Sequence, residues 1–314
     1  MKHLKAIIPI FGFVAVCIFI FSSIDLSNLK QTLLSANPNW LLLAFGITLF
    51  QPFLTSLRLQ TYLIAGNHAK PYHRCLKAVL AASSLNAVLP AKGGDLVKVT
   101  FLQDDPNELS PLAGLALLER VIDILVLCLL SLAGSLYVSN NTTTIISLFA
   151  LSAPIGALLL LGKADRVPII GKKLVRLAMA CRAAWSKPFV LLRGLVIAVL
   201  CWSTNLTVMY CLFKSVGALV SVIEVAAATP LAIFVGLLPI SISGMGTRDA
   251  ALVSLLPDIA KEITYSATFL YTASVYWFLA LIGLVFLGKE VLRLTLSKTQ
   301  QNQSSLKKVS ASPT

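Results

Sequence analysis

Residues 238–249, LPISISGMGTRD, place a proline, two glycines and an Arg-Asp pair between two strongly apolar stretches. Residues 89–98, LPAKGGDLVK, have the same plan: Leu-Pro, a glycine-rich break with basic and acidic side chains, then a fresh apolar segment. Proline and glycine interrupt regular helices, so each stretch predicts a broken helix. Their matching positions predict a chain of two similar halves in opposite orientations, an inverted repeat.

The composition excludes a soluble protein. The chain has 314 residues, of which 57% are hydrophobic and 12% charged, whereas soluble domains carry roughly 25% charged residues. Apolar runs include 4–21, 40–50 and 266–287, of which the first and the last approach or exceed the roughly 20 residues that a spanning helix needs. We therefore expect an all-α, polytopic helical membrane protein, with one transmembrane domain at 1–288 and a basic, polar tail at 289–314.

Lysine and arginine are concentrated between the apolar runs. They cluster near the N-terminus, in 58–77, in 163–187 and after 288, as expected of cytoplasmic segments. We interpret the net charge of +13 as membrane topology rather than affinity for nucleic acid. Both termini are expected in the cytoplasm, with the chain in the inner membrane.

The alternation of these loops predicts six spanning helices and two hairpins, eight hydrophobic segments in all. The predicted spans are 4–22, 39–57, 111–138, 144–162, 189–213 and 265–287. Segment 76–90 would then begin and end on the cytoplasmic side and 222–256 outside, so both are predicted to be re-entrant, from opposite faces. Two alternatives remain open: each break is only a kink, or 222–238 is nearly a full span.

The chemistry of the breaks indicates an anion site. Irregular backbone at membrane depth is tolerated only where it is buried in protein or lines a wet cavity. Asp95 is predicted to cap one short helix, and Thr247 or Asp249 another. Free amides at a helix start, glycines and the nearby Lys92 and Arg248 would suit a phosphate. The break residues assigned to this site are Asn86, Pro90, Lys92, Gly93, Gly94, Asp95, Ser241, Gly244, Gly246, Arg248 and Asp249.

A third polar group lies within LLERVIDILVL, residues 117–127. Asp123 lies four positions after Glu119 and three after Arg120, so the three residues occupy neighbouring positions on one side of a helix. Because only fifteen residues, about 22 Å of helix, remain to Val138, we expect the group inside the hydrocarbon core, facing a cavity. A mutual Arg120–Asp123 pair of purely structural role, or snorkelling to the interface, is the alternative.

Other polar residues carry no site. The six cysteines lack CxxC spacing and the three histidines do not cluster, so we expect no metal and no cofactor. Asp104, Asp105 and Glu108 are interpreted as a solvated loop, with Ser110 and Pro111 as cap and first residue of the next helix.

Three motifs together, LNAVLPAKGGDLVK, ALLERVIDIL and LLPISISGMGTRDAAL, resemble the membrane region of lysylphosphatidylglycerol synthases and their stand-alone, flippase-like relatives. The resemblance covers roughly residues 5–290. It implies movement of a modified phospholipid between leaflets, and related regions accompany enzymes acting on lipid-linked sugars. The family pattern carries over to Asn86, Pro90, Gly94, Glu119, Arg120, Asp123, Pro239, Gly244, Gly246 and Arg248.

The chain departs from the family pattern in two respects. Only about 26 mostly polar residues follow Gly288, so we expect no aminoacyl-transfer domain and no synthase activity. Lys92, Asp95 and Lys98 stand where the family more often has an arginine and a glutamate, and Asp249 replaces the usual glutamate, with charge signs kept.

These features predict a lipid flippase rather than an enzyme. Its partner would be a membrane lipid with an anionic, phosphate-bearing headgroup, moved downhill or by an ion gradient, with Glu119 and Asp123 as a proton relay. Two alternatives stay open. One is a non-transporting partner of a lipid-modifying or glycosyl-transfer enzyme, and the other is a membrane-embedded transferase.

Overall fold

The computed structural model describes residues 26–89, 92–163, 172–238, 241 and 243–290. No β-strand occurs within these ranges, and helices make up most of them. The prediction of an all-α, helical membrane protein is therefore confirmed.

The helices follow one another with short connections. In chain order they are α1 (Leu26–Leu34), α2 (Pro38–Ala65), α3 (Tyr72–Asn86), α4 (Gly94–Val97), α5 (Leu109–Tyr137), α6 (Asn141–Lys163), α7 (Lys172–Trp185), α8 (Pro188–Ser215), α9 (Val222–Gly236), α10 (Thr247–Leu255) and α11 (Lys261–Glu290). Single 3₁₀ turns occupy Lys98–Phe101 and Pro106–Glu108, and the middle of α11, Thr272–Phe278, is a π-helix.

Four of the described helices are long and apolar enough to cross a membrane: Pro38–Ala65, Asn141–Leu160, Pro188–Ser215 and Lys261–Glu290. Helix α5 has 29 residues, about 43 Å at 1.5 Å per residue, but contains the three charges of the ERVID stretch. The predicted span 4–22 lies outside the described residues. The total of six crossings therefore stays a prediction.

The two halves repeat one architecture. Helices α2 and α8 both have 28 residues and begin at Pro38 and Pro188, 150 positions apart. Helices α3 and α9 both have 15 residues and begin at Tyr72 and Val222, again 150 positions apart. The intervening turns match as well, with left-handed φ angles of 63° at residue 67 and 77° at residue 217.

The two halves are also inverted. Helices α2 and α8 pack along each other, with Trp40 against Tyr210 at one end (ring centroids 6.2 Å apart). Near the other end, a Cβ on Gly194 would lie 2.7 Å from the Tyr62 ring. Equivalent helices thus run antiparallel, the arrangement that an inverted repeat requires.

Each break turns the chain back on itself. Gly94 at the start of α4 lies so close to α3 that an added Cβ would be 2.5 Å from the Ala82 carbonyl oxygen. In the second half, a Cβ on Gly236 would be 2.9 Å from the Cβ of Arg248 in α10. Helices α3 and α9, about 22 Å long, are shorter than the roughly 30 Å hydrocarbon core, as expected of re-entrant hairpins.

The halves interlock through two glycines. Gly134 of α5 approaches the backbone of Ala227 in α9, and Gly283 of α11 approaches the Leu80 carbonyl of α3. Serine hydroxyls bond across the same contacts, from Ser131 to the Ala227 carbonyl at 2.5 Å and from Ser84 to the Ala280 carbonyl at 2.9 Å. Each hairpin therefore packs against the long helix of the opposite half.

The prediction that the basic segment 163–187 is a simple loop is wrong. The segment contains helix α7, whose Ala180, Cys181 and Ala184 are buried in the apolar core. Arg182 of the same helix is exposed, so α7 covers the apolar core with one side and leaves another side uncovered. Cys75, also predicted in a basic loop, is buried too.

Candidate functional site

A polar cavity of about 90 Å³ lies between the two halves. Helices α2, α3, α5, α8 and α11 and the first break contribute its walls. Trp202 and Tyr276, which both line the cavity, are near the midpoints of α8 and α11. The cavity therefore lies halfway along two of the membrane-spanning helices.

Arg58 joins the two carboxylates of α5. Its Nε and Nη2 donate to Glu119 Oε1 at 3.1 and 2.9 Å, and its Nη1 donates to Asp123. Lys98 Nζ donates to Glu119 Oε2 at 2.7 Å, and Trp202 Nε1 donates to Asp123 Oδ1 at 3.0 Å. All four charged side chains are buried, and their two positive and two negative charges cancel.

Arg120 pairs with the first break rather than with Asp123. Its guanidinium donates to Asp95 Oδ2. Asn86, the last residue of α3, donates to Asp95 Oδ1 at 3.0 Å and accepts the Asp95 amide at 3.2 Å. This pair is also neutral. Because the Arg120 guanidinium binds Asp95, the mutual Arg120–Asp123 pair considered from the sequence does not form.

Lys92 is different from the other cations of the cavity. Its Nζ lies 5.4 Å from the Trp202 ring centroid and 5.3 Å from that of Tyr276, within cation–π range of both. Across the described ranges no carboxylate is within 4 Å of this ammonium. Its charge is therefore not cancelled by direct pairing, and the cavity carries one excess positive charge.

The second break forms a separate, closed arrangement. Arg248 donates to Asp249 Oδ1 at 3.0 and 2.7 Å and to Thr272 Oγ1 at 2.7 Å, and it stacks on Tyr271 with 4.8 Å to the ring centroid. Asp249 Oδ2 accepts the Gly246 amide at 2.8 Å. The Arg248 side chain is only 2% exposed, and the hydrogen bonds of its guanidinium are all made within the protein.

These contacts correct the predicted phosphate cradles. The carboxylate of Asp249 accepts a hydrogen bond from the Gly246 amide at the start of α10, and the side-chain oxygen of Asn86 accepts one from the Asp95 amide at the start of α4. The N-caps are Gly246 and Gly93, not Asp249, Thr247 or Asp95. The positive charge near the cavity therefore comes from side chains rather than from free helix amides.

The two breaks nevertheless touch each other. Ser243 Oγ donates to the Ala87 carbonyl at 3.0 Å, at the end of α3. Gly244 and Gly246 have φ angles of 72° and 86°, in the left-handed region that glycine adopts without strain. The two interruptions, whose residues the sequence assigned to one site, thus contact each other, with the cavity on the side of the first.

Comparison with known proteins agrees with this architecture. Residues 6–283 match the family described as "Lysylphosphatidylglycerol synthase TM region". The chain belongs to this family. No curated protein matches the chain.

The structure separates the site residues that the sequence predicted into two sets, those that line the cavity and those that do not. The cavity lining contains Asn86, Lys92, Asp95, Arg120 and Asp123. The lining does not include Gly93, Gly94, Glu119, Ser241, Gly244, Gly246, Arg248 and Asp249. Pro90 and Pro239 are outside the described residues.

The three residues that donate to Glu119 and Asp123 were missed in the sequence. Arg58 was assigned to a cytoplasmic loop, but helix α2 continues to Ala65 and buries it. Lys98 was noted only as a departure from the family, and Trp202 was read as part of an apolar run. The apolar residues Leu59, Tyr62 and Leu63 continue the helical period beyond Arg58, which is the signal that could have extended the helix.

The loop carboxylates near the C-terminal end of α2 and the N-terminal end of α3 are paired rather than simply solvated. Lys70 Nζ donates to Asp104 Oδ2 at 2.7 Å and to Glu108 Oε2 at 2.9 Å, and Arg74 also bonds Asp104. These bonds from Arg74 and Lys70 lower the pKa of Asp104. Helix α5 begins at Leu109 rather than at Pro111.

Proposed function

We propose that this protein is a lipid flippase of the inner membrane, and that its cavity receives a phosphate-bearing headgroup while the apolar chains stay in the bilayer. Lys92 attracts the anion first, because it is the cation of the cavity without a carboxylate in contact. Arg120 lies in the same lining and completes the positive side. This excess positive charge is the observation that carries the proposal.

The depth of the cavity supports transport. Ionisable groups within membrane helices are costly, and they ordinarily mark a substrate or ion pathway. A midplane site between inverted halves is the arrangement in which rocking of one half against the other exposes the site to each leaflet in turn. The Lys- and Arg-rich segments orient the protein, with both termini in the cytoplasm.

The ion pairs give the site its shape. Glu119 and Asp123 are each held by Arg58 and by a second donor. This geometry favours a fixed ionic cluster rather than a proton relay. The cluster keeps Arg120 and Lys92 in place. The mechanism needs no covalent step, so the lipid leaves with the mass it had on entry.

The test is headgroup translocation by the purified full-length chain in proteoliposomes. A fluorescent phospholipid with a phosphodiester headgroup is placed in one leaflet, and its arrival in the other is followed by quenching. We expect Lys92→Gln to slow translocation at least tenfold, because a buried anion loses its cation.

Lys214→Gln is the matched control. Lys214 also lies over an aromatic ring, Tyr210, at 5.6 Å, but it is not part of the cavity lining. Equal translocation by wild type and Lys92→Gln would contradict the proposal. It would favour the second candidate, a non-transporting partner of a lipid-modifying enzyme, for which the self-neutralised ion pairs would serve only the fold.

A further inference from the structure

The outer end of the cavity presents a polar group that the charged cluster does not use. Gln51 lies in α2, about two turns before Arg58 on the same helix, and contributes to the cavity wall. Its side chain is buried, with the whole residue 7% exposed. Its Nε2 has no hydrogen-bond partner among the described residues.

An unpaired amide in this position is unfavourable unless something else binds it. Buried polar groups in proteins are nearly always hydrogen-bonded, and leaving one unpaired costs its desolvation. Rotation of the amide about its last torsion exchanges donor for acceptor, so either orientation leaves a polar atom that needs a partner from the cavity.

Asn205 and Ser83, which line the same cavity as Gln51, are already engaged. Asn205 Oδ1 accepts the Tyr271 hydroxyl at 2.8 Å, and Asn205 Nδ2 donates to the Cys201 carbonyl at 3.1 Å. The Ser83 hydroxyl donates to the Val79 carbonyl at 3.0 Å. Gln51 is therefore the lining residue whose amide is available to a ligand.

We propose that Gln51 forms an uncharged subsite that hydrogen-bonds a hydroxyl group of the lipid headgroup. The inference rests on the proposed function, with the phosphate at Lys92 and the hydroxyl toward the outer end of the cavity. A hydroxyl both donates and accepts, so it satisfies the amide in either orientation. A quaternary ammonium offers neither, so the subsite selects hydroxyl-bearing over trimethylammonium headgroups.

The experiment compares phosphatidylglycerol with phosphatidylcholine as probes, competing for the full-length protein in mixed micelles. Wild type is expected to prefer phosphatidylglycerol by at least tenfold, because one well-formed hydrogen bond, worth about tenfold, adds to the attraction of Lys92 for the net negative charge of this lipid. Gln51→Met keeps the side-chain volume and removes the amide. We expect the preference to fall by about tenfold, with phosphatidylcholine binding unchanged.

The same variant has a second readout with the opposite sign. Because Gln51→Met removes an unpaired buried amide, the melting temperature of the lipid-free protein should rise. Gln60→Met is the matched control in the same helix. Gln60 Nε2 donates to the Lys70 carbonyl at 3.1 Å, outside the cavity lining, so this change should lower the melting temperature and keep the lipid preference.

A lower melting temperature for Gln51→Met with the lipid preference intact would overturn the subsite, because Gln51 would then serve the fold. Absence of a preference in wild type would overturn it as well. Failure of the proposed function has a different signature. Lys92→Gln would leave binding of both lipids unchanged, whatever Gln51→Met does.

Discussion

Arg58 shows how single residues determine this site. Its guanidinium bridges two carboxylates of another helix, Glu119 and Asp123, and all three side chains are buried. The sequence predicted that Glu119, Arg120 and Asp123 face a cavity, and Arg120 and Asp123 do line one. It could not name their partners, since those come from residues 21 to 79 positions away.

Removal of Arg58 should therefore destabilise the protein strongly. Arg58→Met leaves two buried carboxylates with fewer donors, and breaking a buried pair from one side costs about 3–5 kcal/mol. Thermal unfolding in detergent measures the loss. Adding Asp123→Leu to Arg58→Met should recover part of it, and equal stability of wild type and Arg58→Met would show that the pairs do not hold the helices.

Asp104 provides a pH-dependent effect outside the membrane. Its pKa is lowered from the ordinary 3.8 by Arg74 and Lys70, so its contribution to stability is present above about pH 4 and lost as the pH falls through the lowered value. Because the side chain is 52% exposed, Asp104→Asn should cost no more than about 1 kcal/mol at pH 7.

Melting curves of wild type and Asp104→Asn from pH 7 to pH 3 check this expectation. The difference between them should shrink below pH 4. Asp258→Asn, at an exposed loop position, is the control and should show no such difference. A gap that widens toward low pH would reverse the sign of the effect and refute the pairing.

At the scale of the elements, the hairpins were predictable because proline and glycine act locally. Leu-Pro followed by clustered glycines marked the positions of both breaks, whereas the single prolines Pro52 and Pro230 stay inside helices α2 and α9. Helix ends were less predictable, because the last two turns of α2 depend on the burial of Arg58 and Tyr62 against other helices. The interlocking of the halves depends on Gly134 and Gly283, whose partners lie far away in sequence.

Gly283→Ala tests the interlocking. An added Cβ would lie 2.2 Å from the Leu80 carbonyl oxygen, so α11 and α3 must move apart, at a cost of about 1–3 kcal/mol. Gly156→Ala is the control, because nothing lies within 4 Å of its added Cβ. It should leave the melting temperature equal or slightly raised, since alanine favours helix. Indistinguishable melting of the two variants would contradict the packing.

At the scale of the whole molecule, the 150-residue offset relates two inverted halves whose charged residues are used differently. The first half supplies Lys92, Arg120 and Asp95 to the cavity, whereas the second closes Arg248 on Asp249. The sequence predicted the duplication but treated the two breaks as equal sites. The difference arises in tertiary contacts, because Thr268, Tyr271 and Thr272 of α11 enclose Arg248.

If the halves rock during transport, the contact between the breaks must open and close. Cysteines at Ala87 and Ser243 in a cysteine-free background, joined by a short thiol-specific cross-linker, should stop lipid translocation, and cleavage of the linker should restore it. The starting contact is 3.0 Å between the Ser243 hydroxyl and the Ala87 carbonyl. Full activity of the cross-linked protein would show that this contact stays fixed.

The central claim is that the cavity between the inverted halves holds a phosphate-bearing lipid headgroup through Lys92. Native mass spectrometry of the purified chain, counting bound phospholipid in wild type, Lys92→Gln and Lys214→Gln, tests it most directly. We predict retained phospholipid in wild type and Lys214→Gln and its loss in Lys92→Gln. Equal retention in all three proteins would contradict the claim.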